Sequence, residues 1–142
     1  MNQPFFKTLD NMSKRVPTIV PTTTTNTGIP MFLSKIFTFR DKLHFAHLAT
    51  NSYAEHKALN DAYEDLLELA DTLVESIQGI YGIQPLKQEM CEDHASNVAM
   101  VQYMYDCINE NRPLFKESWI QNQLDEICAL FAQTLYKLKN LK

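Results

Sequence analysis

An all-α protein, folded as a bundle of four helices, is what this sequence predicts, and three observations lead there. Glycine occurs three times in 142 residues, too seldom for the turn-rich chains of β-sandwiches and barrels. Apolar residues recur at helical spacing in four separate stretches. Hydrophobic residues make up 45% of the chain and charged residues 21%, which suits one compact domain and excludes a largely disordered or fibrous chain.

The elements follow in order. Residues 1–30 read as a tail, with Pro17, Pro21, Pro30 and the run Thr22 to Thr25; such a stretch cannot sustain a helix and has little apolar surface to offset its ordering entropy. Phe5, Phe6, Ile19 and Val20 would let part of it dock on the body formed by residues 31–142. The first helix is predicted from Pro30 to about Asn51, with Leu33, Ile36, Phe37, His44, His47 and Leu48 on its apolar stripe. The second starts at Ser52, where Ser52-Tyr53-Ala54-Glu55 reads as a capping box. Its stripe includes Leu59, Tyr63, Leu66, Leu67, Leu73 and Ile77, and Gly79 is expected to stop it. The third spans His94 to Asn109, and the fourth Phe115 to Leu141, with the break at Asn111-Arg112-Pro113.

Connection lengths restrict the topology. The first and third links are tight, whereas 14 residues separate Gly79 from His94, enough to span about 46–50 Å when extended. Short, long, short is the pattern of a bundle with one long crossover between its second and third helices. A simple up-down-up-down order stays open if residues 83–93 are helical.

Several functions are excluded or disfavoured. Gly28, Gly79 and Gly82 cannot form a dinucleotide or phosphate-binding glycine loop. No apolar run is long enough for a membrane span, and the N-terminus lacks the apolar core of a signal peptide. Cys91, Cys107 and Cys128 form no C-x-x-C pair, so neither a disulfide framework nor a zinc knuckle is expected, and a cytoplasmic location is the default. The net charge is −4, divided as +2 over residues 1–30 and −6 over the rest; an acidic body implies weak or no nucleic-acid binding. No serine or cysteine sits in an activating context for hydrolase chemistry.

The second helix carries the chemistry. With His56 placed at 0°, Asn60, Asp71 and Glu75 fall at about 40°, 60° and 100°, a polar ribbon beside an apolar face centred near ~310°. Imidazole and carboxylate together suit a divalent metal such as Fe(II), Mn(II) or Zn(II). The bland alternative is a solvated acidic face, since this helix holds seven acids against Lys57. Likewise, His44 and His47 taken alone read as hydrogen-bonded core histidines.

The segments Leu43-His44-Phe45-Ala46-His47, Tyr53-Ala54-Glu55-His56-Lys57-Ala58-Leu59 and Asp71-x-x-x-Glu75 resemble the Dps-like miniferritins of the ferritin-like superfamily. That family's ferroxidase spacing falls here on His44, His56, Asn60, Asp71 and Glu75, with His47 an alternative for the first histidine and Asn60 and Glu64 weaker candidates. The resemblance implies a ferritin-like four-helix bundle with one long crossover. It further implies a site shared across a two-fold dimer, with histidines from one subunit and the acidic pair from its neighbour. Twelve subunits would form a shell in which Fe(II) is oxidised by peroxide or dioxygen and stored as ferric mineral, protecting against oxidative damage. The sequence departs from the family where Asn60 replaces an acid, where Phe45 and Leu48 follow the histidines in place of tryptophan, and in a shorter crossover. Those departures sustain the alternative, a non-catalytic ferritin-like bundle acting as a structural or protein-binding oligomer.

Overall fold

The structure, a computed structural model, describes residues 28–142. Four helices account for most of it: α1 (Gly28–Ala49), α2 (Tyr53–Tyr81), α3 (Asn97–Asn111) and α4 (Ser118–Asn140), with one 3-10 turn at Arg112–Leu114 before α4. There is no strand among the described residues. The proposed docking of Phe5, Phe6, Ile19 and Val20 lies outside them.

Local chemistry explains where the helices begin and end, and it corrects several expectations. α1 starts at Gly28, so Gly28, Ile29 and Pro30 are helical and Pro30 sits in the first turn, where its missing N–H costs nothing. Ser52 caps α2 by accepting the Glu55 N–H at 3.3 Å. The reciprocal half of the capping box is absent: Glu55 accepts instead from the Thr50 hydroxyl at 2.7 Å and from the Asn97 side chain at 3.2 Å. Gly79 lies inside α2. The helix runs on to Tyr81 and is stopped by Gly82, whose φ of 83° is open to glycine without strain and whose N–H bonds the Gln78 carbonyl. A lone glycine weakens a helix without ending it when no left-handed residue is required there. α3 begins at Asn97 because Ser96 caps it through the Ala99 N–H, three residues later than His94. Phe115 is a buried anchor ahead of α4 rather than its first residue.

Bonds between elements set the directions. α2 doubles back from α1 through the short link at Thr50–Ser52. The segment 82–96 is non-helical and lies along α1: Lys87 N–H donates to the Ser34 hydroxyl, the Thr38 hydroxyl to the Glu89 carbonyl, and the Lys42 ammonium to the carbonyls of Cys91 and Glu92 and the carboxylate of Asp93. Asn97 then meets Glu55, so α3 starts beside the start of α2. α4 runs back along α2, with Tyr81, Ser76 and Asp61 paired in turn to Glu117, Gln123 and Lys137. α1 therefore packs on α2, α2 on α4 and α4 on α3, with α1 touching α3 more lightly.

The core fills the space between these four helices. Phe39, Leu66, Leu73, Met104 and Phe131 are fully buried, and the Phe39 ring meets Tyr103 and Phe131 edge-on at 6.0 and 6.5 Å. Two residues expected on apolar stripes face outward: Leu48 is 66% exposed and Leu67 40%. Leu66 and Leu67 thus provide a direct comparison on one helix. Leu66→Ala should cost about 2–5 kcal/mol through lost burial and the cavity left behind. Leu67→Ala should cost less than about 1 kcal/mol. Urea unfolding of the two variants measures the difference.

Candidate functional site

Three of the predicted site residues converge where α1 ends and α2 begins. His44 and His47 lie one turn apart near the end of α1, and His56 lies in the first turns of α2. The link between them is held by its own side chains: the Thr50 hydroxyl accepts the Ser52 N–H and donates to Glu55. His47 and His56 stack with ring centroids 3.7 Å apart. Each also reaches the other's backbone, His47 Nδ1 to the His56 carbonyl at 2.8 Å and His56 Nδ1 to the His47 carbonyl at 2.9 Å.

That exchange determines the protonation pattern of both rings. A carbonyl oxygen can only accept, so each imidazole carries its proton on Nδ1 and, when neutral, keeps a lone pair on Nε2. The His47 carbonyl is among the last four of α1, which have no partner within their own helix. His56 therefore caps α1 from outside it. Burial separates the three histidines: His47 is 7% exposed, whereas His44 and His56 are half-buried. A shallow hollow of about 250 Å³ at this corner is lined by Thr50, Asn51, Ser52, Tyr53 and His56.

The cluster extends to residues not singled out from sequence as part of a site. Tyr63 stacks on His44 at 4.1 Å and 17°, and the Arg40 guanidinium lies 5.4 Å from the Tyr63 ring centre. The Tyr63 hydroxyl donates to Asn60 Oδ1 at 3.3 Å. A signal for Tyr63 was present in the sequence, because it stands seven residues after His56 and so shares its face of the helix. Its membership of the apolar stripe concealed that role.

The carboxylates are placed differently. Asp71 and Glu75 are exposed, and Asp71 is fifteen residues beyond His56, about 22 Å along the helix axis at 1.5 Å per residue. One chain cannot bring them to the imidazoles. Among the described residues, no group of three or more His, Cys, Asp or Glu could hold a metal ion. Glu64 is exposed, and Asp61 is engaged by Lys137 at 3.1 Å and Lys57 at 3.8 Å. His94 lies on the segment along α1, its ring 4.8 Å from Tyr103. The cysteines are free, and burial pushes all three thiols up, which disfavours the thiolate a ligand or nucleophile requires. No helix of the described residues is long and apolar enough to cross a membrane.

A bundle of four helices with an imidazole cluster at one corner is thus the class of protein that fold and site define. Residues 47–138 match a family described as a family of unknown function, DUF5856, and the chain belongs to that family. The matched span includes His47, His56, Asp71 and Glu75 and begins after His44. The chain is also similar to an uncharacterised 14.6 kDa protein from the mobD-ri intergenic region of Enterobacteria phage T4, at 27% identity over 111 residues, covering 75% of this chain and 84% of the phage protein. No solved structure matches the chain at a significant level.

The two halves of the ribbon should respond differently to truncation in metal-free protein. His56→Ala removes a ring stack and the cap on the His47 carbonyl, and should destabilise the fold by about 1–2 kcal/mol. Asp71→Ala, at an exposed position with no ion pair among the described residues, should stay within about 0.5 kcal/mol. Urea unfolding in the presence of a chelator measures both.

Proposed function

We propose that this chain is a Dps-like subunit that binds and oxidises Fe(II) and stores the ferric product within an oligomer, at a site shared between two copies. The observation that carries this reading is the separation within one ribbon of α2. Imidazoles gather at its start, while Asp71 and Glu75 stand exposed and too distant to join them in the same chain. A second copy running antiparallel would bring its acidic pair to the first copy's histidines. Supporting it are the neighbour order of the helices and the course of residues 82–96 along α1, the arrangement expected of a ferritin-like bundle with a single crossover.

Iron is the substrate in this reading. The imidazole cluster of His44, His47 and His56 supplies the neutral nitrogen donors, with His56 as one and His44 or His47 as the other, and Asp71 and Glu75 of the second copy supply anionic oxygen donors, a mixture suited to Fe(II). Each Fe(II) loses one electron, so two are oxidised for each hydrogen peroxide reduced, with two protons consumed and two waters formed. Asn60, its carbonyl oxygen engaged by Tyr63, offers a neutral group where an acid would strengthen a second iron position. The assembly proposed is a homo-oligomer, a dodecamer of two-fold dimers, in a cytoplasmic setting and with weak or no affinity for nucleic acid. The acidic body favours uptake of cations over phosphate polymers.

One observation favours the second reading, a non-catalytic bundle that holds partners or copies of itself. His47 and His56 are engaged in joining α1 to α2, a structural task that needs no metal. Anaerobic Fe(II) titration followed by peroxide separates the two readings. The expected result is a ferric absorbance rise above the protein-free control, abolished by His56→Ala and strongly reduced by Asp71→Ala, in a species several times 16.4 kDa. An oligomer that gives no such rise supports the non-catalytic bundle.

A further inference from the structure

Resting on the iron-binding reading, we propose that His47 is a positioning residue and not a ligand: it holds the His56 ring so that His56 Nε2 is the atom presented to the cation. Spacing in the sequence favours His44 as the first ligand and nearness to the helix end favours His47, and the geometry distinguishes them. His47 is the buried member, 7% exposed, and neighbours both of the others, its ring centre 6.1 Å from His44 and 3.7 Å from His56. Tyr63 also approaches its ring edge-on, at 5.4 Å.

Two contacts give His47 its hold on His56. Its ring forms a wall against which the His56 ring lies nearly parallel, at 29°. Its Nδ1–H bonds the His56 carbonyl and thereby keeps the first turns of α2 in register with the end of α1. The His56 Nδ1–H then meets the His47 carbonyl, which disfavours the alternative tautomer. An imidazole that must ligate through Nε2 gains from having its other nitrogen bonded in advance, because neither the ring nor its proton needs to move when the cation arrives. Here that partner is a backbone carbonyl, placed by the residue whose side chain returns the same bond.

Asparagine and glutamine substitutions separate positioning from ligation. His47→Asn retains a donor near the Nδ1 position and has nothing near Nε2. His47→Gln places its amide near Nε2 and loses the Nδ1 donor. The experiment uses the full-length protein in two measurements. Long-range proton–nitrogen correlation spectra of the metal-free imidazoles at mildly alkaline pH report each tautomer, and anaerobic Fe(II) titration reports affinity. The expected result is Nδ1–H at both His47 and His56 in the wild type. His47→Asn, which keeps the bond to the His56 carbonyl and gives up the stacked ring, should retain the Nδ1–H signal of His56 and lose less affinity than His47→Gln, which should mix the tautomers and weaken Fe(II) binding by about 10–100-fold.

Three results would overturn the proposal: an Nε2–H tautomer at His56, loss of iron by His47→Asn as complete as in His56→Ala, or full affinity in both His47 variants. If the wild type takes up no Fe(II), the iron-binding reading falls. The tautomers of His56 in the wild type and the two variants then still decide whether His47 positions that ring.

Discussion

The last carbonyls of a helix must find partners, and in this protein the partner for one of them arrives from another helix. His56 donates to the His47 carbonyl while His47 donates to the His56 carbonyl. This exchange joins α1 to α2 across a short link, beside the bonds of Thr50 to Ser52 and Glu55. It also determines which imidazole nitrogen is free. One pair of side chains thus serves the fold and prepares whatever chemistry the corner performs.

A second constraint is the return from the end of α2 to the start of α3, which lie at opposite ends of the bundle. Unsupported, fifteen residues without secondary structure would expose many backbone groups and lose much entropy on ordering. The protein resolves this with a polar stripe on α1. Ser34, Thr38 and Lys42, spaced four apart, each engage a successive part of the segment. Lys42 makes the most of these contacts, its ammonium bonded to two carbonyls and a carboxylate. Where α3 gives way to α4, Arg112 plays a comparable role. It binds Asn109, Gln121 and Asp125 and so holds the end of α3 against the start of α4.

Particular residues show why the fold was readable and the site only partly so. Apolar periodicity depends on burial alone, and it identified all four helices through residues such as Leu66, Met104 and Phe131. Helix ends depend on competition between caps, and there local reading failed at Gly79, where α2 continues to the positive-φ Gly82. Leu48 and Leu67 match the apolar period yet lie at the edge of the stripe, where a small rotation of the helix decides exposure. The histidines were recognised as candidates from spacing. That His47 and His56 would bond each other's backbone depends on how two helices meet, which no spacing within one helix contains. Tyr63 and Arg40 joined the cluster for the same reason.

By itself, the sequence determined the helical class, the number of helices, the short and long links, and the polar ribbon running from His56 to Glu75. Each of these follows from residue type and from the rise and turn of one helix. Tertiary structure alone decided the neighbour order of the helices, the course of residues 82–96 along α1, the tautomers of His47 and His56, and the distance that keeps Asp71 and Glu75 from the imidazoles of their own chain. Those properties arise where separate elements touch, and contact between elements is set by packing in three dimensions and not by periodicity along one.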